Sequence, residues 1–82
     1  MLKLSIRTKV RPEEVVKRAL EFFGPGGYGL KVVEQNDTCA SFEGGGGGVF
    51  ITAHTDEKGT SVELETREWE YQVKEFAQRI KK

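Results

Sequence analysis

The chain holds one thiol, Cys39, and one imidazole, His54. Both fall in segments of strand-like alternation, on either side of a glycine run. A four-residue loop in that hairpin would set them opposite each other on one sheet face. Such a pair suggests Cys–His nucleophilic catalysis, which also needs an orienting Asn or Asp and a pocket. No orienting residue is placed to serve, and an open sheet face offers no pocket. A zinc site takes three or four ligands, and the neighbouring Asp56 and Glu57 belong to a turn. The ordinary reading is an exposed histidine beside a small thiol. The acidic residues sit on solvated helix faces or oppose basic strand residues, so they form no catalytic pair. No catalytic residue, metal ligand set or cofactor is assigned, and the chain reads as a non-enzyme.

Ten glycines supply the other chemical candidates. Gly24-Pro25-Gly26-Gly27-Tyr28-Gly29 matches G-x-G-x-x-G. Dinucleotide binding needs that loop after a strand and opening a helix, so that amides and the helix dipole face the pyrophosphate. Here it follows a helix and opens a strand, which predicts a helix end and a turn. Gly44–Gly48 could present backbone amides to an anion as a nest. No lysine and no helix follow it, so the P-loop pattern is absent. Five glycines in a row cost folding entropy, roughly 0.4–1 kcal/mol each. That cost hints at close approach by a partner or a neighbouring backbone, although a floppy or bulged hairpin is the plainer account.

The elements that position these residues follow from periodicity. Residues 2–10 alternate Leu2, Leu4, Ile6, Thr8 and Val10 against Lys3, Ser5, Arg7 and Lys9, a half-buried strand. Pro12 suits a first helical position, with Glu13 and Glu14 at the positive end of the dipole. Val15, Val16, Ala19, Leu20, Phe22 and Phe23 give that helix a broad apolar face, ended by Gly24 and Pro25. Strands are predicted near 30–35, 38–43, 49–55 and 60–66, with turns at Asn36-Asp37, the glycine run and Asp56–Gly59. A symmetric last turn sets Ile51 against Leu64 and Ala53 against Val62. Trp69, Val73, Phe76, Ala77 and Ile80 make one helical stripe.

Lys3, Arg7 and Lys9 point outward from the first strand, and Glu63 and Glu65 from the last. Opposite charges across a strand pair contribute about 0.2–1 kcal/mol. The first strand is therefore placed antiparallel beside the fifth. The predicted fold is one α+β domain over residues 1–82, β-α-β-β-β-β-α. It is a two-layer sandwich with an antiparallel five-stranded sheet of order 1-5-4-3-2 and both helices on one face. This element order resembles the single-repeat TATA-binding-protein-like fold and a miniature of the helix-grip fold of birch-allergen-like lipid binders.

The helix-grip resemblance implies an apolar or amphipathic small molecule held between sheet and C-terminal helix, with Tyr28, Phe42 and Trp69 near its mouth. The ordinary reading is that these aromatics fill a thin core. A second expectation is a protein-interaction or homodimerisation module using the open sheet face or a free edge. Ile51 and Val49 claim the inner face, which leaves Phe50 outward beside Thr52 and His54. The TATA-binding-protein resemblance suggests DNA, but Glu63, Glu65 and Glu43 share the outer face with Lys3, Arg7 and Lys9.

Composition supports these exclusions. Thirteen basic and thirteen acidic residues cancel over 82 residues, so the overall basic field of a nonspecific nucleic-acid binder is lacking. With 37% apolar and 32% charged residues the chain is an ordinary globular one. One cysteine permits no internal disulfide. The start alternates charged and apolar residues where a signal peptide would be continuously apolar, and nothing reaches membrane-spanning length. A cytoplasmic protein that binds neither nucleic acid nor membrane is expected.

Overall fold

The computed structural model describes residues 2–81. The element order is β1 (Leu2–Thr8), α1 (Pro12–Phe23), β2 (Lys31–Gln35), β3 (Cys39–Gly44), β4 (Gly47–Asp56), β5 (Gly59–Arg67) and α2 (Glu70–Ile80). The five strands form one open antiparallel sheet in the order β1-β5-β4-β3-β2, as the charge pattern predicts. The expected register of the last hairpin is present, with Ile51 opposite Leu64 and Ala53 opposite Val62. Lys3 lies opposite Glu65 and the two side chains meet at 3.6 Å. Arg7 faces Ser61 and reaches instead to Asp56, at the end of β4.

Both helices pack on one face. α1 lies over β3 and β4, and α2 over β5 and β1. Alternation along the strands sends Val49, Ile51, Ala53, Val62 and Leu64 into the space beneath them, all 0–2% exposed. Val15, Ala19 and Phe23 come down from α1, and Val73, Phe76 and Ile80 from α2. Phe23 is central, with Phe42 and Phe76 ring centroids at 5.6 and 5.5 Å. The buried Thr8 hydroxyl donates to the Ile80 carbonyl, tying the end of α2 to the end of β1. That bond satisfies a carbonyl that the helix leaves without a partner.

Local chemistry sets the joints. Pro12 opens α1 with Glu13 and Glu14 in its first turn. Asn36 Oδ1 accepts from the N–H groups of Thr38 and Cys39, each at 2.9 Å, which folds the β2–β3 turn. Asp56 Oδ1 does the same for Lys58 N–H at 2.9 Å in the β4–β5 hairpin. The two sheet edges differ. β2 is short and bulged between Val32 and Glu34, which turns Val33 outward at 53% exposure. β1 pairs without interruption from Leu2 to Thr8.

Candidate functional site

The face of the sheet away from the helices is the candidate site, and the glycine hairpin decides its layout. Gly45 and Gly46 alone form the turn between β3 and β4, with φ of 57° and 82°. Positive φ at both central residues is the two-residue hairpin geometry that matches the strand twist. Gly44, Gly47 and Gly48 therefore belong to the strands. This tighter turn moves the register by two residues from the four-residue loop expected of the sequence. Cys39 consequently lies opposite Thr52, and His54 opposite Ser61 on the other side. The facing Cys–His pair does not form. Among the described residues no three His, Cys, Asp or Glu side chains gather into a group that could hold a metal.

Register sets out the outer face in rows. One row runs Lys3, Glu65, Phe50, Ser41, Glu34 from β1 to β2. A second runs Arg67, Gly48, Glu43, Lys31 from β5 to β2. Phe50 stands on the middle strand at 40% exposure, with shallow clefts beside it. One of 220 Å³ is lined partly by Ser41, Glu65 and Arg67, and another of 160 Å³ by Lys3, Thr52 and Glu63. Those two lie below the range of about 300–1,000 Å³ usual for small-molecule sites, while a third of 460 Å³, beside the glycine hairpin between Glu43 and Arg67, falls within it.

The three aromatics expected at a ligand mouth part company. Phe42 is 2% exposed and packs against Phe23 inside the core. Trp69 and Tyr28 meet at 5.9 Å between ring centroids. Trp69 is half-buried and its Nε1 donates to the Gly44 carbonyl at 2.9 Å. Tyr28 remains 45% exposed, and its hydroxyl meets Glu75 Oε1 at 3.2 Å. Partial desolvation and then the Glu75 carboxylate push the Tyr28 phenol above its ordinary pKa. The stripe expected to start with Trp69 inside the helix begins one residue later, with Trp69 as the residue preceding α2.

The G-x-G-x-x-G loop spends its amides on its own carbonyls. Gly27 and Gly29 N–H donate to Gly24 O, Tyr28 N–H to Phe22 O, and Leu30 N–H to Phe23 O, at 2.8–3.0 Å. The loop is a helix end, as the sequence order predicts. Gly24 ends α1 in extended geometry, with φ of −73°. A groove of 350 Å³ runs between the helices on the side away from the sheet. Phe22, Phe76 and Ile80 lie along it, beside Arg18, Arg79 and Glu21. The Arg79 guanidinium stands over the Phe22 ring at 5.2 Å. Sequence reasoning missed this groove because it assigned Phe22 to the core with Phe76, whereas Phe22 is half-buried; the arginines four residues after Glu14 and Glu75 were its only signal.

Comparison with protein-family models, curated proteins and solved structures returned no match. Among the described residues no helix is long and apolar enough to cross a membrane.

Proposed function

We propose that this chain is a non-enzymatic interaction module that pairs with a second copy of itself through the open sheet face. The observation that carries the reading is the order of charges across that face. β4 is the middle strand, so a two-fold axis lying between the two faces, above β4 and parallel to the strands, lays β5 over β3 and β1 over β2 of the second copy. Register then sets Lys3 over Glu34 and Arg67 over Glu43, each twice, with Phe50 against its own copy at the axis. The perpendicular two-fold would instead stack β1 on β1, with Lys3 and Arg7 against cations. Charge selects the first arrangement.

The area is adequate. Five strands at about 4.8 Å spacing and roughly 25 Å long give on the order of 600 Å² per copy. Two such faces reach roughly 1,200 Å², the lower bound of standard interfaces. Phe50 supplies the aromatic anchor that such contacts centre on. Exchanging the charges tests the arrangement: Arg67→Glu should weaken self-association, and Arg67→Glu with Glu43→Arg should restore it. Equal dimerisation by all three proteins would rule this packing out.

The groove between the helices favours a second reading, an amphipathic ligand site. Phe22 offers an apolar floor, with Phe76 and Ile80 almost wholly buried beneath it, and Arg18 and Arg79 an anionic headgroup's partners, in a volume at the low end of ligand pockets. Titration with a medium-chain carboxylate should raise the melting temperature of the wild type and not of Arg79→Glu.

A further inference from the structure

β1 is an edge strand whose inner side chains are incompletely covered. Leu2, Leu4 and Ile6 point to the helix layer yet remain half-buried, whereas Leu64 and Val62 beside them on β5 are fully enclosed. The strand pairs over its seven residues without a bulge or proline, so its free side presents a regular row of backbone donors and acceptors. Its outward side chains are cationic: Lys3 and Arg7 keep 68% and 56% of their side-chain surface exposed.

We infer that the free edge of β1 accepts an extended segment of another protein, added antiparallel, in which acidic and apolar residues alternate. β5, on the other side of the same strand, shows the chemistry that fits. It sets Glu65 against Lys3 and Glu63 against Ser5, with Leu64 against Leu4 and Val62 against Ile6 between them. A segment of that pattern would cover the half-buried row and place carboxylates beside Lys3 and Arg7. A second β1 does not satisfy it. Antiparallel pairing centred on Ser5 sets Lys3 against Arg7, and centring on Ile6 sets Lys3 against Lys9; centring on Leu4 avoids like charges but pairs only residues 2–6 and offers the cations no carboxylate. Like charges directly opposite oppose pairing. The cations thus act selectively, disfavouring a copy of the strand while admitting an acidic one.

The backbone edge of β1 stays free when two faces meet, but Lys3 is shared with the proposed sheet-face contact, so the test uses Phe50→Lys protein to remove that contact. A synthetic peptide matching the seven residues of β1 in length, alternating valine and glutamate, is titrated into ¹⁵N-labelled protein. Amide shifts concentrated in residues 2–8, with slowed amide exchange there and weakening in salt, are expected. The same peptide with lysine for glutamate should bind about tenfold more weakly. A valine–glutamate peptide N-methylated at every residue, which has no N–H left to donate on either edge, should not bind. Shifts centred elsewhere, no shifts, or equal binding of the lysine peptide would overturn the inference.

Discussion

The indole Nε1–H of Trp69 donates to the carbonyl of Gly44 at 2.9 Å, fastening the start of α2 to the glycine hairpin. That contact accounts for much of the glycine run. A Cβ on Gly45 would stand 2.9 Å from Trp69 Cζ2, and one on Gly47 would stand 2.0 Å from the Arg67 carbonyl oxygen. The run is a seat for the β5–α2 connection, which presses backbone against backbone.

Alanine substitutions should therefore rank by what the new methyl meets. Gly47→Ala should be the most damaging, because β4 must move away from Arg67 to admit it. Gly45→Ala combines positive φ with the indole contact. Gly46→Ala has open space and costs only the left-handed conformation, about 1–2 kcal/mol. Urea unfolding of the three variants checks the order; equal losses would contradict it.

Trp69→Ala should cost about 2–4 kcal/mol, less than a fully enclosed tryptophan, because the ring is half-buried and loses one hydrogen bond. Trp69→Phe retains the ring packing and leaves Gly44 O without its indole partner, so it should fall between. Thermal unfolding that separates the three proteins in this order supports the seat. A melting temperature for Trp69→Ala within a degree or two of wild type would contradict it.

Stability should respond to pH at both ends. The Lys58 N–H first, and then the Arg7 hydrogen bond, hold the Asp56 carboxyl below its ordinary range. Its contribution is present above the unfolded pKa of about 3.9 and is lost as pH falls through the lower folded value. Tyr28 is shifted upward, so its contribution is present below about 10 and is lost as pH rises through the folded value. Asp56→Asn should flatten the acid limb of a pH–stability curve and Tyr28→Phe the alkaline limb. Unchanged limbs in the variants would show that other groups govern them.

Much of this fold was legible because its signals are local and agree with one another. Pro12 and the apolar face through Phe23 mark α1, and the strand alternations mark the sheet. The opposed charges of Lys3 and Glu65 carry the one non-local step, β1 beside β5. The outer face was less legible, since its layout depends on how many glycines turn. Two residues in the Gly45–Gly46 turn instead of four move His54 away from Cys39. Glu34 reaches the Phe50 row only through the bulge at Val33, which no pattern in Lys31–Gln35 announces. The parting of Phe42 from Tyr28 and Trp69 was also hidden, because periodicity gives a residue's face and not its depth.

Duplex DNA should bind no more tightly than about 10⁻⁴ M at physiological salt, the weak end of nonspecific affinity. Lys3, Lys31 and Arg67 share their rows with Glu65, Glu34 and Glu43, so the face has little net charge to release counterions. Phe50 stands alone, where wedging a minor groove takes several apolar side chains. Micromolar, steeply salt-dependent binding in a gel-shift titration would refute this.

The most direct test of face-to-face pairing is sedimentation velocity of the wild type and Phe50→Lys across the micromolar to millimolar range. Phe50 is 40% exposed and is not part of the core, so its replacement should leave the melting temperature of the monomer close to wild type. The account predicts a wild-type sedimentation coefficient that climbs with concentration to that of a dimer, while Phe50→Lys stays monomeric throughout. A wild type that remains monomeric at millimolar concentration, or a dimer untouched by Phe50→Lys, would contradict it.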